Sequence, residues 1–206
     1  MHLTDPYVRQ AQSRGYRSRA AFKLLGIHEK DPLIKPGMTI VDLGSAPGSW
    51  SQVVREILSV KRGDDPGKRV HGRIIALDIL PMEPIADVEF IQGDFREESV
   101  AKELGDRLGG EKVDVVISDM APNLSGIQSA DAARVAHLVE LAVDFAGQQL
   151  KPSGCLVVKL FHGSGYDDLV RLFQSRFRVV KKIKPKASRP QSSETFLVGM
   201  GLKAQA

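Results

Sequence analysis

Lys159 lies in the run Cys155-Leu156-Val157-Val158-Lys159-Leu160-Phe161, which is β-branched and apolar and follows the turn signal Lys151-Pro152-Ser153-Gly154. Such a run reads as a strand buried on both faces. Lysine is almost never fully buried without a partner, because an isolated ammonium there shifts its pKa or costs several kcal/mol. An acid must therefore meet it. The run Val113-Asp114-Val115-Val116-Ile117-Ser118-Asp119-Met120-Ala121-Pro122 supplies one, as a second hydrophobic strand ending in an aspartate before a proline-containing turn. A lysine and an aspartate at the carboxyl ends of two strands of one sheet form either a catalytic pair or a buried ion pair of no chemical use.

A second constellation begins at Val41-Asp42-Leu43-Gly44-Ser45-Ala46-Pro47-Gly48-Ser49-Trp50, a strand, a glycine-rich turn and a helix start. Glycines let backbone approach a ligand closely at the first crossover of an open α/β sheet. The spacing is neither a dinucleotide fingerprint nor a P-loop, and Pro47 removes an N–H that a pyrophosphate would use. Acids end the next two strands: Asp78 in Ile74-Ile75-Ala76-Leu77-Asp78, and Asp94 in Phe90-Ile91-Gln92-Gly93-Asp94-Phe95. The first is placed to hold ribose hydroxyls and the second to accept from an adenine amino group. Each alone also fits a turn start or a helix cap. Together with Asp119 they point to a nucleoside without phosphates, such as S-adenosylmethionine.

The elements that must position these groups alternate. Strands are expected at 39–43, 73–78, 88–92, 113–119, 154–161, 177–183 and 195–202, with helices at 49–58, 99–108, 129–150 and 165–176. An earlier helix is expected from Arg17 to Gly26, with Gly26 as its end signal. Such alternation implies a largely parallel, doubly wound sheet in a three-layer α/β sandwich, with right-handed crossovers.

A length of 206 residues is most simply one domain, and 42% hydrophobic with 26% charged residues is the balance of a globular protein. No apolar stretch approaches a membrane span, and Met1-His2-Leu3-Thr4-Asp5 is not a signal peptide. The single Cys155 falls in a buried strand, which fits core filling and a reducing cytoplasm. The five histidines show no metal-ligand spacing, so no metal site is expected. Net charge is +4 with a pI near 9.2, but the positive charge is clustered. Arg9, Arg14, Arg17, Arg19 and Lys23 lie near one end, and Lys181, Lys182, Lys184, Lys186 and Arg189 near the other. A basic connection, Lys61 to Arg69, lies between them. Any one run reads as a solvated face. Two clusters flanking one site point to a nucleic acid, with Arg17, Arg19, Lys182, Lys186 and Arg189 as candidate phosphate contacts.

The segments Asp42 to Trp50, Gln92-Gly93-Asp94-Phe95, Ser118-Asp119-Met120-Ala121-Pro122-Asn123 and Val157-Val158-Lys159 together resemble the FtsJ/RrmJ family of S-adenosylmethionine-dependent ribose 2′-O-methyltransferases. Tyr16 to Leu24 and Ser188-Arg189…Ser193-Glu194 extend the resemblance over nearly the whole chain. Two departures are Gly48-Ser49-Trp50 in place of Gly-Gly-Trp, and a longer basic connection over 61–73. The resemblance implies a Rossmann-like methyltransferase fold, a mostly parallel seven-stranded sheet between helical layers, with a basic helical segment (about 1–36) packed on the catalytic core. It implies a catalytic set of Lys23, Asp119, Lys159 and Glu194, and cofactor contacts at Gly48, Trp50, Asp78, Asp94 and Asp119. Trp50 is equally placed to be a core aromatic at a helix start. The resemblance is closest to a short bacterial branch that methylates a uridine ribose in the A-loop of large-subunit (23S-type) rRNA. A cytoplasmic monomer acting on the assembled subunit is the matching expectation. The same chemistry on tRNA or an mRNA cap, or RNA binding without catalysis during ribosome assembly, are the alternatives.

The chemistry itself asks for a base, since a ribose hydroxyl must lose its proton as it attacks the sulfonium methyl. Lysine serves if burial and a nearby cation favour its free amine. Lys159 is the expected base, Asp119 and Glu194 orient it, and Lys23 binds RNA or stabilises the developing alkoxide.

Overall fold

Period-two alternation along the strands divides the core into two halves. In the computed structural model, which describes residues 5–61, 68–122, 126–189 and 191–204, β1 (Thr39–Leu43), β4 (Arg73–Asp78), β5 (Glu89–Gln92), β6 (Val113–Ser118), β7 (Leu150–Phe161), β8 (Phe177–Ile183) and β9 (Glu194–Leu202) form one sheet. Its order is β5-β4-β1-β6-β7-β9-β8, parallel except for β9, which runs antiparallel to both neighbours. A short hairpin, β2 (Ser59–Lys61) with β3 (Lys68–Val70), stands apart. The remaining basic connection, and Asn123 of the motif after β6, lie outside the described residues.

Val41, Ile75, Val116, Leu156, Val158 and Leu160 face one side, against α4 (Glu98–Leu108), α5 (Gln128–Gln149) and α6 (Tyr166–Arg176). Ile40, Ile74, Val115, Ile117, Val157 and Phe196 face the other, against α1 (Pro6–Ser13), α2 (Ala21–Lys30) and α3 (Ser49–Leu58). Among the described residues no helix is long and apolar enough to cross a membrane.

Three expected boundaries move. The helix placed at Arg17–Gly26 runs instead from Ala21 to Lys30, because Gly26 sits inside it and the chain leaves the helix at Asp31, before Pro32. Residues 17–20 form bends and turns, with Arg17 and Ser18 bonded to Gln52 and Ser49 of α3. The apolar spacing placed no helix at α1, although it falls in the helical segment that the resemblance implied; it is polar, buries only Ala11, and is started by Asp5 accepting from Tyr7 N with Pro6 at its first position. β7 begins at Leu150 rather than Gly154, since Leu150 pairs with Val113 and the register shifts before Cys155 meets Val115.

The chain passes from β1 outward to β4 and β5, then returns to β6 on the other side of β1. The carboxyl ends of β1 and β6 therefore flank a topological switch point, where open α/β sheets hold ligands. β8 is parallel to β7 through their shared antiparallel neighbour, so the connection from β8 into β9 lies at the same edge.

Candidate active site

The same alternation gathers the polar groups. Lys159 shares the side of Val157, Glu194 that of Phe196, Asp42 that of Ile40, and Asp78 that of Ile74. All four are carried toward the helical layer of α2 and α3, and α2 brings Lys23 to meet them.

Lys159 Nζ lies 2.9 Å from Asp119 Oδ1 and donates to the Asp119 carbonyl at 2.5 Å. Lys23 Nζ donates to Glu194 Oε2 at 2.8 Å and lies 3.9 Å from the same Asp119 Oδ1. Lys159 is 8% exposed, so the apolar run does bury its lysine and the neighbouring strand does supply the acid. Burial works against the Glu194 charge, but the hydrogen bond and charge of Lys23, helped by Lys159, hold its carboxyl below the usual glutamate range. Two lysines and two carboxylates thus alternate at the sheet edge, next to the aromatic faces of Phe196 and Phe161, each 5.9 Å from one ammonium.

The glycine turn is braced by the protein itself. Gly44 and Gly48 have φ of 75° and 108°, and a Cβ on Gly44 would stand 2.4 Å from Met120 Cγ. A Cβ on Gly48 would meet Ile85 at 2.7 Å and Arg17 Nη1 at 2.9 Å. The close approach expected of these glycines is therefore first to protein atoms. Asp78 accepts from Ala46 N at 2.9 Å and from Leu80 N at 2.8 Å, which fixes the turn to the end of β4. Asp94 is bound through both oxygens by Arg96, which holds its carboxyl low. The Trp50 ring is core: it is 3% exposed, donates to Ala20 O at 2.8 Å and packs on Phe196. What Trp50 offers a ligand is its backbone N–H, one of the first-turn donors of α3 that lack an intrahelical acceptor.

Sequence reasoning missed Asp42 as a functional group. It is fully buried, and Oδ2 accepts from Ser51 Oγ at 2.7 Å. Its Oδ1 and the Ser45 hydroxyl have no hydrogen-bond partner among the described residues. Burial pushes Asp42 up to about 7, against the Ser51 bond and with added repulsion from Asp119 and Asp78. A charged residue inside Thr39–Leu43 was the available signal, by the reasoning applied to Lys159. Sequence reasoning also passed over Ile79 and Leu80, which stand 57% and 60% exposed directly after Asp78.

The arginines expected on phosphate have other partners. Arg17 donates to the carbonyls of Pro47 (2.8 Å), Glu83 (2.6 Å) and Pro84 (3.0 Å), tying the glycine turn to the segment after β4. Arg19 pairs with Asp5 and donates to the Ala187 carbonyl. A fixed guanidinium fork suits such carbonyl clusters as well as phosphate. Lys182, Lys186 and Arg189 are exposed on or beside the β8–β9 connection, at the site's edge.

A glycine turn after β1, acids at the neighbouring strand ends and an antiparallel strand beside the last parallel pair define a Rossmann-like methyltransferase. The chain belongs to the FtsJ-like methyltransferase family, matched over residues 16–202. It is 66% identical to ribosomal RNA large subunit methyltransferase E of Polaromonas naphthalenivorans, over 98% of this chain and 83% of that protein. With the protein of the same name from Variovorax paradoxus it shares 63%, over 99% of this chain and 91% of the other. The crystal structure of a ribosomal RNA methyltransferase from Plasmodium falciparum superposes with a TM-score of 0.78 at 30% identity, over 92% of this chain and all (100%) of that one.

Proposed function

We propose that this chain transfers a methyl group from S-adenosylmethionine to the 2′-hydroxyl of a uridine in the A-loop of large-subunit rRNA, with Lys159 as general base. The observation that carries this reading is the Lys159–Asp119–Lys23–Glu194 cluster at the edge where the glycine turn ends. The relatives named as large-subunit methyltransferases, identical at 63–66% of positions, support the substrate.

The groups at the edge suit a cationic nucleoside. Asp119 and Asp78 each repel the Asp42 charge, so a positive ligand beside them relieves that repulsion. The unpartnered Asp42 Oδ1 and Ser45 hydroxyl lie buried beneath the glycine turn and act on a ligand there through their charge and dipole rather than by contact. Asp78 is the ribose acceptor, its oxygens keeping spare lone pairs after two backbone bonds. Ile79 and Leu80 offer an apolar ledge for a base, and Asp94 lies beyond them as the adenine acceptor. The backbone at Gly48 and Trp50 completes the cradle. When bound, S-adenosylmethionine supplies a methyl carbon already activated by a sulfonium leaving group, and no metal is called for.

Asp119 and its carbonyl fix the direction of Lys159 Nζ. In its amine form Lys159 would take the 2′-hydroxyl proton, while the bound donor would give up its methyl group to the oxygen and leave as the neutral thioether S-adenosylhomocysteine. Lys23, held by Glu194, stands beside the oxygen as its negative charge grows. Holding both reactants in line can lower the barrier by about 7–11 kcal/mol, whereas a base contributes roughly 10²–10⁴-fold, so alignment is the larger effect. Lys182, Lys186 and Arg189 guide the RNA, and the protein acts as a monomer.

The test is transfer of a tritiated methyl group to large subunits, free rRNA and tRNA, followed by mapping of the labelled nucleotide. Label on one A-loop uridine ribose of the large subunit is the expected result; label on tRNA alone, or on a base, would overturn the substrate assignment.

A further inference from the structure

Three residues beyond Lys159 on the same strand path, His162 is exposed and lies flat on a buried aromatic ring. Its imidazole stacks on Tyr166 with centroids 4.3 Å apart and planes 25° from parallel. Tyr166 opens α6, is 8% exposed, and its hydroxyl has no hydrogen-bond partner among the described residues. The Lys182 ammonium stands 5.2 Å from the centre of the same Tyr166 ring. The backbone of His162 donates to Ser193 O at 2.9 Å, which fastens the stack to the residue before Glu194. An exposed ring, a buried ring beneath it and a flanking cation are therefore anchored to the strands that carry Lys159 and Glu194.

An exposed histidine needs no such support to be stable in water. A ring held flat and open on one face is a preorganised stacking surface, and every nucleobase offers it a π face. At about 3.3 Å per residue, three residues separate the two positions by on the order of 10 Å along the strand path, with His162 turned to the α6 side of the sheet and Lys159 to the α2 side. That is too far for the acceptor ribose itself and near enough for an adjoining nucleotide.

Resting on the rRNA reading, we propose that His162, supported by Tyr166, stacks a nucleobase adjacent to the acceptor nucleotide, with Lys182 taking the phosphate beside it. The stacked nucleobase contributes binding of the RNA and no proton chemistry. Imidazole acts here by its face, so a phenyl ring in its place serves equally.

Two measurements on wild type, His162→Ala and His162→Phe test this. In steady-state methyl transfer to unmethylated large subunits, His162→Ala raises KM for the subunit by about 5-fold or more, while kcat at saturation and the affinity for S-adenosylmethionine stay nearly unchanged. His162→Phe restores KM. The salt dependence of RNA binding is unaltered in both, whereas Lys182→Ala reduces its slope by somewhat under one unit. In the second measurement, a single-stranded RNA carrying 2-aminopurine is titrated with each protein. Fluorescence quenched on stacking by wild type and His162→Phe, but not by His162→Ala, supports the proposal. An unchanged KM in His162→Ala, equal losses in the alanine and phenylalanine variants, or quenching indifferent to residue 162 overturns it. Wild-type protein that leaves the subunit unlabelled refutes the rRNA reading instead, and the quenching comparison still decides the stack.

Discussion

Lys23 and Lys159 direct their ammonium groups at one oxygen, Oδ1 of Asp119, from 3.9 and 2.9 Å. They come from opposite ends of the fold logic, one from a helix that precedes the sheet and one from its middle. Glu194 closes the arrangement through Lys23 at 2.8 Å. With both lysines carrying a proton the four charges balance, so two lysines and two acids share one buried edge without a large desolvation penalty left uncompensated. Asp119 also follows the strand that flanks the glycine turn, so the same residue links Lys159 to the side of the glycine turn.

Arg17 belongs to that cofactor side, holding Pro47, Glu83 and Pro84 together. Arg17→Ala is expected to weaken S-adenosylmethionine binding by about tenfold, equivalent to about 1.4 kcal/mol. The salt slope of RNA binding stays as in wild type. Calorimetry and salt titration of the one variant check both halves; intact cofactor affinity with a flattened slope would return Arg17 to the phosphate contacts.

RNA attraction is assigned to Lys182, Lys186 and Arg189 at the site's edge. Each lost phosphate contact should lower the slope of log affinity against log salt by roughly 0.7–0.9. The triple alanine variant is therefore expected to bind with a visibly flatter salt dependence, and Arg19→Ala, whose partners are Asp5 and Ala187, with none. Equal slopes for wild type and the triple variant would move the RNA elsewhere.

Asp42 predicts a pH dependence with a definite sign. Its carboxyl moves from an ordinary 3.8 to about 7, chiefly through burial. Between those values the folded protein holds a proton that the unfolded chain has released, so stability falls as pH rises and levels off above about 7. From pH 5 to pH 8 the loss through this group is about 2–3 kcal/mol. Glu194 has the opposite sense: its lowered pKa gives stability present above 4.5 and lost as pH falls below it, outside that window. Urea unfolding of the cofactor-free protein at both pH values should show the decline, and Asp42→Asn should abolish it. A decline of the same size in Asp42→Asn would mean that another group titrates.

What the sequence made legible was what burial dictates. A lysine in an apolar strand demands an acid, and the alternation of Val157, Val158 and Lys159 places it on a definite side of the sheet. Seven strands and their order of appearance follow from the same patterning. The first thirty residues resisted, because α1 buries only Ala11 and carries little apolar periodicity. Gly26 misled as a stop signal: a Cβ there would meet Pro185 at an ordinary 3.6 Å, so the helix simply continues. For Arg17 and Trp50 the sequence shows the residue but not its partner. An arginine reads the same in sequence whether carbonyls or phosphates await it, and a tryptophan beside a glycine turn reads the same whether ring or backbone faces the ligand.

The central claim rests on Lys159, whose amine is assigned the proton of the acceptor hydroxyl. Single-turnover methyl transfer to large subunits, run on a folded Lys159→Ala protein with saturating S-adenosylmethionine, tests it most directly. Thermal unfolding accompanies the assay, since removing the lysine leaves Asp119 and Glu194 with one cation between them. A base acts in the transition state, so the expected result is a rate lower by about 10²–10⁴-fold with cofactor affinity nearly intact. A folded Lys159→Ala protein that methylates its RNA within a few-fold of wild type would contradict the assignment and leave Lys159 as an ion-pair partner of Asp119.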